Sequence, residues 1–404
     1  MRVSTADKYN IGVNALQRRQ SELAEAQTKL TTGKRVNRAS DDPVAAARAE
    51  RALAGENRVV ADERSVEASK SIMVQTEGAL GEAGELLQQA REILVSAGNA
   101  TYGSPERNNL AEQLKQIRDQ LLKISNRSDG AGTYLFGGQG ASEKPFVDSR
   151  PQIGTLVEQG GVRYVGAAGS SMTDVGTNLP LALDGAVIWT SARTGNGVFE
   201  TRSLTSTSGA WIEPGQVVDP SVVTGDAYSL VFNAATQAFD VTDTSTATVL
   251  ASQPYVSGEA IEVDGMSLTI NGAPNDGETF EVVPSVARLN VFGSLDKAIA
   301  DLQAGLGSAA LSQAVSDNLR NMDSVMGNLQ AARARSGEAL SRIDNATAQL
   351  ASEKLHHQTE RAGAEDLDMI AAISEFENKQ TGYDAALKSY SMVQRMSLFQ
   401  YISA

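Results

Sequence analysis

Apolar residues recur every seven positions near the start of the chain, at Tyr9, Leu16, Leu23 and Leu30, with Val13, Gln20 and Gln27 at the alternate seam positions. A heptad repeat predicts a helix packed along a partner helix. Half of this seam is polar, so it should be weak alone. Ser4 and Asp7 are spaced as a capping box ahead of it, and Gly33 is a natural C-terminal stop. After a polar turn, Asp42 followed by Pro43 reads as an N-cap with proline at the first helical position. A longer helix is predicted from there to about Asn99. Val59, Val66, Met73, Leu80, Leu87 and Leu94 repeat at seven-residue spacing, a seam roughly 50 Å long at 1.5 Å per residue. Ala83, Ala90 and Ala97 sit three residues after the last three and allow another helix to approach closely. Ser104-Pro105 restarts a third helix with Leu110, Leu114, Ile117, Leu121 and Ile124 in one stripe.

The pattern then changes period. Tyr228, Leu230 and Phe232 alternate, and Phe239 and Val241 follow a polar stretch. Ile261 and Val263, then Asp264-Gly265, then Met266, Leu268 and Ile270 read as a hairpin with a tight turn. Phe280 to Val283 predicts another strand after Asp276-Gly277. Helical spacing returns with Leu319, Met322, Met326 and Leu329, then Leu340, Ile343, Thr347 and Leu350. Near the end, Leu367, Ile370, Ile373 and Phe376 lead to Leu387, Tyr390, Val393 and Met396.

Proline placement supports this division. Eight of the ten prolines fall between Pro145 and Pro284, and proline is excluded from helix interiors. The fold class predicted is mainly α with a β insert: long antiparallel helices formed by both chain ends, around a central β-rich domain. The flanks carry too little apolar surface to stand alone. The C-terminal helices are therefore expected to pack back along the N-terminal ones, with Leu16 to Leu30 close to Leu387 to Phe399. That would bring both chain ends to one end of a rod and the β insert to the other. The segments expected are 1–40, a coiled-coil polymerisation helix; 41–145, the first part of a helical rod; 146–284, a variable outward β domain; 285–365, the second part of the rod; and 366–404, a second polymerisation helix.

Charge narrows the partners. The net charge of the 404 residues is -14. Sixteen Asp and Glu against four Arg and no Lys between Phe146 and Pro284 give that segment -12, leaving -2 for the flanks. Nucleic-acid binding needs a basic face and is not expected. The opening residues contain no apolar core segment, so a secretory signal peptide is not expected. No long uncharged apolar run predicts a membrane span.

Candidate chemistry is sparse. There is no cysteine, which excludes disulfides and thiolate metal sites. The two histidines, His356 and His357, have Glu360 and Glu353 at four-residue spacing. Each pair could share a helix face, but a metal site needs more ligands than one such pair, and a solvated face explains them. The middle has neither His nor Cys, so no triad fits there, and its scattered acids read as solvation rather than as a two-carboxylate hydrolase site. Gly137-Gly138-Gln139-Gly140 opens no helix and reads as a turn. No cofactor and no catalytic residue is expected.

Three separated segments carry a family resemblance. Thr31 to Ala45, with Gly33, Arg35, Asn37, Ser40, Asp41, Asp42 and Pro43, resembles the N-terminal motif of flagellin-like proteins, and its Asp-Asp-Pro-Val-Ala form resembles the hook-associated junction type. Ser128-Asp129-Gly130 with Tyr134 to Gly138 is a second match, and the ending Ser397 to Ile402 a third. The resemblance covers about the first 140 and last 85 residues.

It implies a structural subunit of the bacterial flagellum, forming a ring-like junction layer between hook and filament and needed for motility. The implied partners are further copies of itself, the other hook–filament junction protein, flagellin, a cytosolic export chaperone and the flagellar type III export apparatus. The implied location is extracellular, at the hook–filament junction. The implied contact residues are Tyr9, Leu16, Leu23, Leu30, Leu387, Tyr390, Val393, Met396 and Phe399. A filament flagellin, an enzyme carried on a flagellin-like scaffold and a cytosolic coiled-coil adaptor are the alternatives.

Overall fold

The computed structural model describes residues 5–99, 101–148, 161–174, 178–205 and 207–402. Chain contacts divide it into two units, Met1–Arg64 with Ala346–Ala404, and Ser65–Asn345. Seven helices are described: α1 Thr5–Thr32, α2 Pro43–Ala97, α3 Ser104–Ser125, α4 Gly185–Trp189, α5 Val291–Gln303, α6 Ser308–Glu365 and α7 Met369–Ile402. The capping Ser4 expected from the sequence lies outside the described residues.

The helix limits follow local chemistry. Gly33 ends α1 with φ of 68°, a conformation in which a Cβ is unfavourable. Asp42 caps α2: its Oδ1 accepts from the amides of Val44 at 3.1 Å and Ala45 at 3.0 Å, two donors that the first helical turn leaves unpaired. All six residues of the α2 heptad seam are buried, as are Ala83, Ala90 and Ala97.

In the unit Ser65–Asn345, the α2 seam meets the α3 stripe and the apolar faces of α5 and α6 in one core. Part of that core comes from non-helical chain. The short strands β1 Phe146–Asp148, β2 Val162–Tyr164, β3 Ser171–Asp174, β4 Asn178–Ala182 and β5 Ala192–Arg193 deliver Phe146, Val162 and Ala192 to it, and α4 delivers Trp189. Trp189 stacks on Phe292 with ring centroids 6.0 Å apart. Arg118 of α3 is buried between the carboxylates of Asp148 and Asp296. Burial opposes its charge, but the two carboxylates outweigh that and hold the guanidinium protonated.

The remaining strands are β6 Phe199–Thr205, β7 Trp211–Ile212, β8 Gln216–Val217, β9 Tyr228–Asn233, β10 Ala238–Asp243, β11 Thr248–Pro254, β12 Ala260–Val263, β13 Met266–Asn271, β14 Thr279–Pro284 and β15 Ala287–Leu289. A five-stranded antiparallel sheet has the order β11-β10-β9-β14-β6, and β12-β13-β7 form a second sheet with β8 also on β13. Their inner faces share a separate core of Phe199, Ile212, Tyr228, Phe239, Ile270 and Phe280 among others. The turn read from Asp264-Gly265 is present, with φ of 41° and 73°. We refer to Phe199–Pro284 as the β module.

Candidate functional site: the paired terminal helices

The unit Met1–Arg64 with Ala346–Ala404 places the sequence motif where two helix pairs break side by side. The Leu367 amide donates to Gly33 O at 3.0 Å and the Arg35 amide to Glu365 O at 2.7 Å, while Lys34 and Asp366 form an isolated β-bridge. The Arg35 guanidinium donates to Ala364 O at 2.8 Å and to Asp42 at 3.2 Å, and Lys34 pairs with Glu365 at 3.0 Å. A break between α1 and α2 is thereby tied to the break between α6 and α7.

Each carboxylate of the motif has a local task. Asp41 Oδ2 accepts from the amides of Asn37 at 3.1 Å and Arg38 at 2.9 Å, and these amides, Arg38 first, hold its pKa below the ordinary carboxylate value. Asp42 is also lowered, chiefly by the Ala45 amide. Ser40 sits beside Asp41, and Asn37 Nδ2 returns to Lys34 O at 3.3 Å. Asp368, which the sequence reading missed, caps α7 by accepting from Ile370 and Ala371 at 3.0 and 3.1 Å. Its signal was present: an Asp just before an apolar stretch, two residues ahead of Ile370. These are folding roles, and they define a rigid corner rather than a reactive centre.

Helices α1 and α7 run antiparallel. Tyr390 lies on Gly12, and the Arg19 guanidinium lies on Gly382. The register therefore sets Leu16 near Leu387, as expected, but Leu23 and Leu30 against the first half of α7 rather than against Leu387 to Phe399. Tying Gly33 to Leu367 at the breaks fixes this register.

The apolar stripe read near the C-terminus also divides. The inward face of α7 carries Ala372, Phe376 and Tyr390, whereas Ile370 is 82% exposed, Met392 65% and Leu387 45%. Leu387, expected in the assembled layer to face the N-terminal helix and neighbouring subunits, is 45% exposed here. Sequence spacing shows that a helix has an apolar face, but not which neighbour covers it. On α1, Leu16, Leu23 and Leu30 are half-buried and Ile11 is 62% exposed. Tyr9, Val393, Met396 and Phe399 belong to these two helices, but their side chains lie outside the described ones.

The other sequence candidates behave differently. His357 rests on Gly55 of α2 with Nδ1 buried and, among the described residues, without a hydrogen-bond partner, while His356 lies 3.6 Å from Glu360. Among the described residues no group of three or more His, Asp or Glu could hold a metal ion, and no helix is long and apolar enough to cross a membrane. A cleft of about 730 Å³ in the unit Ser65–Asn345 mixes Lys115, Arg118 and Arg288 with Asp148, Glu200 and Asp296. Two of its carboxylates are already spent on Arg118.

Helical chain ends that pair with each other and, along the sequence, flank a β-rich middle define the class of fold. The N-terminal helical region of bacterial flagellin matches residues 3–141, and the C-terminal helical region of bacterial flagellin matches residues 319–402. Flagellar hook-associated protein 3 of Escherichia coli K12 is 24% identical over 99% of this chain and 99% of its own length. The hook-associated protein 3 of Salmonella typhimurium LT2 is 33% identical over 36% of this chain and 46% of its own. The crystal structure of FlgL from Xanthomonas campestris superposes with a TM-score of 0.66 at 27% identity, covering 78% of this chain and 99% of that one.

The chain belongs to the flagellin family. Within that family it is a structural flagellar junction protein of the hook-associated protein 3 kind. Filament flagellins are more distant; flagellin 1 of Proteus mirabilis aligns over 31% of the chain. The junction reading of the sequence therefore stands over the flagellin alternative. The protein is located in the bacterial flagellum, with flagellar components as its partners.

Proposed function

We propose that this chain assembles with copies of itself as one layer between hook and filament, and that α1 and α7 carry the contacts. The observation behind this reading is the outward apolar set Ile11, Ile370, Leu387 and Met392 on a helix pair that fully buries few residues of its own. An apolar surface rimmed by charge marks an interaction site. Tyr9, Leu16, Leu23, Leu30, Tyr390, Val393, Met396 and Phe399 belong to the same two helices and complete the contact set. The motif Gly33, Arg35, Asn37, Ser40, Asp41, Asp42 and Pro43 acts through position, holding the corner from which both helices leave.

On this reading the layer contacts the second junction protein on one side and flagellin on the other. The chain reaches the outside through the flagellar type III apparatus. Before export, a chaperone covers the outward face of α7 as a groove covers an amphipathic helix. The segments 1–40 and 366–404 are the polymerising ends, 41–145 and 285–365 the rod, and 146–284 the outward domain. The protein acts by assembly and not by catalysis, and it takes no cofactor.

The test is a strain carrying Ile370→Asp with Leu387→Asp. A charge buried without a partner in a packed interface costs several kcal/mol. Hooks without attached filaments, flagellin monomers in the medium and full export of the variant are the expected result. Normal filament attachment would show that this face is not the contact.

A further inference from the structure

The unit Ser65–Asn345 holds two apolar cores that do not merge. One surrounds Phe136, Trp189 and Phe292 with the faces of α2, α3, α5 and α6; the other is the interior of the β module. The chain leaves the first at Thr194–Val198 and returns at Ser285–Val286. The two crossings are zipped together. The Thr194 amide donates to Val286 O at 3.0 Å, the Ser285 amide to Val198 O at 2.9 Å, and the Ser285 hydroxyl to Thr194 O at 2.6 Å. The outbound crossing holds Gly195 and Gly197 with φ of 65° and 92°. A Cβ at Gly195 would lie 1.9 Å from the Phe199 carbonyl oxygen. This kink, between the β5–β15 ribbon and the β6–β14 ribbon, is one that glycine makes without strain.

Helix α6 supplies a third connection, and it is polar. The Gln313 side-chain amide accepts from the Ile212 amide at 2.9 Å and donates to Ile212 O at 3.4 Å, standing where a neighbouring strand would stand beside β7. Arg320, buried, donates to Thr201 Oγ1 at 2.9 Å and to Asp317 at 2.8 Å. Ser324 donates to Gly195 O at 2.8 Å. Two polar atoms of this seam, Arg320 Nε and Ser203 Oγ, are buried without a hydrogen-bond partner among the described residues.

The two kinds of contact respond differently to displacement. Close-packed apolar groups resist sliding, because any shift opens voids. Hydrogen bonds to backbone groups can be exchanged for bonds to water at little net cost. Hinges absorb rotation in a few residues at element ends. The geometry points to a hinge and latch: the β module tilts on the helical part about Thr194–Val198 and Ser285–Val286, and Gln313 with Arg320 holds it in one orientation. Neither core has to open for the module to move.

The chain has no cysteine, so spin labels can be placed without background. One goes at Lys115 on α3 and one at Thr236 in the β9–β10 turn, both exposed. Pulsed electron paramagnetic resonance on the full chain then gives the distance distribution between them. In Gln313→Ala with Arg320→Met, the distribution should at least double in width or show a second, displaced population. A variant distribution as narrow as the parent's, with the same centre and an unchanged circular dichroism spectrum, would overturn the hinge. Should the double variant lose the β module, Gln313→Ala alone, which strands no charge, decides: broadening supports the latch, and an unchanged distribution overturns it.

Discussion

The paired terminal helices and the β module show opposite ways of using apolar residues. Among the described side chains, α1 fully buries only Ala26 and α7 only Ala372, although α7 in particular carries several Ile, Leu, Met and Tyr. The β module buries fifteen apolar residues in a core of its own. Ordering backbone and side chains costs on the order of 1–2 kcal/mol per residue. Burial in the β module opposes that cost within one chain. The terminal pair leaves much of its apolar surface exposed, and on the function proposed above that surface is buried by neighbouring subunits. The difference is one of orientation more than of composition: Leu268 points into a sheet interior, and Leu387 points away from its partner helix.

The comparison breaks most visibly at the centre of the β module. Phe280→Ala should destabilise it by about 3–5 kcal/mol, because the ring is fully buried and its removal leaves a cavity. A thermal transition followed by near-ultraviolet circular dichroism would show the loss, while the helical signal of the terminal pair stays. Next in size is Arg118→Ala, which leaves Asp148 and Asp296 facing each other without their cation. The expected cost is about 3 kcal/mol, read from denaturant unfolding of the unit Ser65–Asn345.

Alkali should act selectively on the β module. Burial, and then the hydrogen bond to Asp264, raise the Tyr228 phenol to about 12. A folded pKa above the unfolded value gives stability that is complete below about pH 10 and lost as pH rises through 12. The module should therefore lose about 2–3 kcal/mol across that window. Tyrosinate absorbance should show Tyr228 titrating late, beside Tyr164, which burial also raises, and Tyr228→Phe should remove the pH step of the β module. Smaller still is Asn290→Ala. It deletes the side-chain oxygen that accepts from Phe292 at 2.9 Å at the start of α5, for about 1 kcal/mol. The smallest effect on the monomer is Leu387→Asp. At an exposed position it should stay within about 0.5 kcal/mol, although the same change combined with Ile370→Asp is expected to prevent filament attachment.

Much of this was legible in the sequence where one chemical rule acts alone. The α2 heptads were read as a packing seam and are buried, because this stripe is apolar at every heptad position and has alanines beside it that admit another helix closely. Asp42 was read as a cap and Asp264-Gly265 as a turn, both local backbone requirements. The strands around Phe146, Val162 and Ala192 were not read, since two or three residues cannot show alternation. Their placement beside Trp189 depends on contacts far apart in sequence. Which neighbour Leu387 faces was not legible for a different reason. A helical stripe has the same period whether it faces its own chain or another, and the α1–α7 register is decided elsewhere, by the pinned breaks at Gly33 and Leu367.

Hydrogen exchange followed by mass spectrometry on the monomer and on the assembled junction tests the central claim most directly. In the monomer, the amides of α1 and α7 should exchange with little protection while those of β9, β10 and β14 exchange only by opening of the whole module. On assembly the terminal helices should gain strong protection and the β module should change little. Terminal helices as protected in the monomer as the β module would contradict the account, since their stability would then owe nothing to neighbouring subunits.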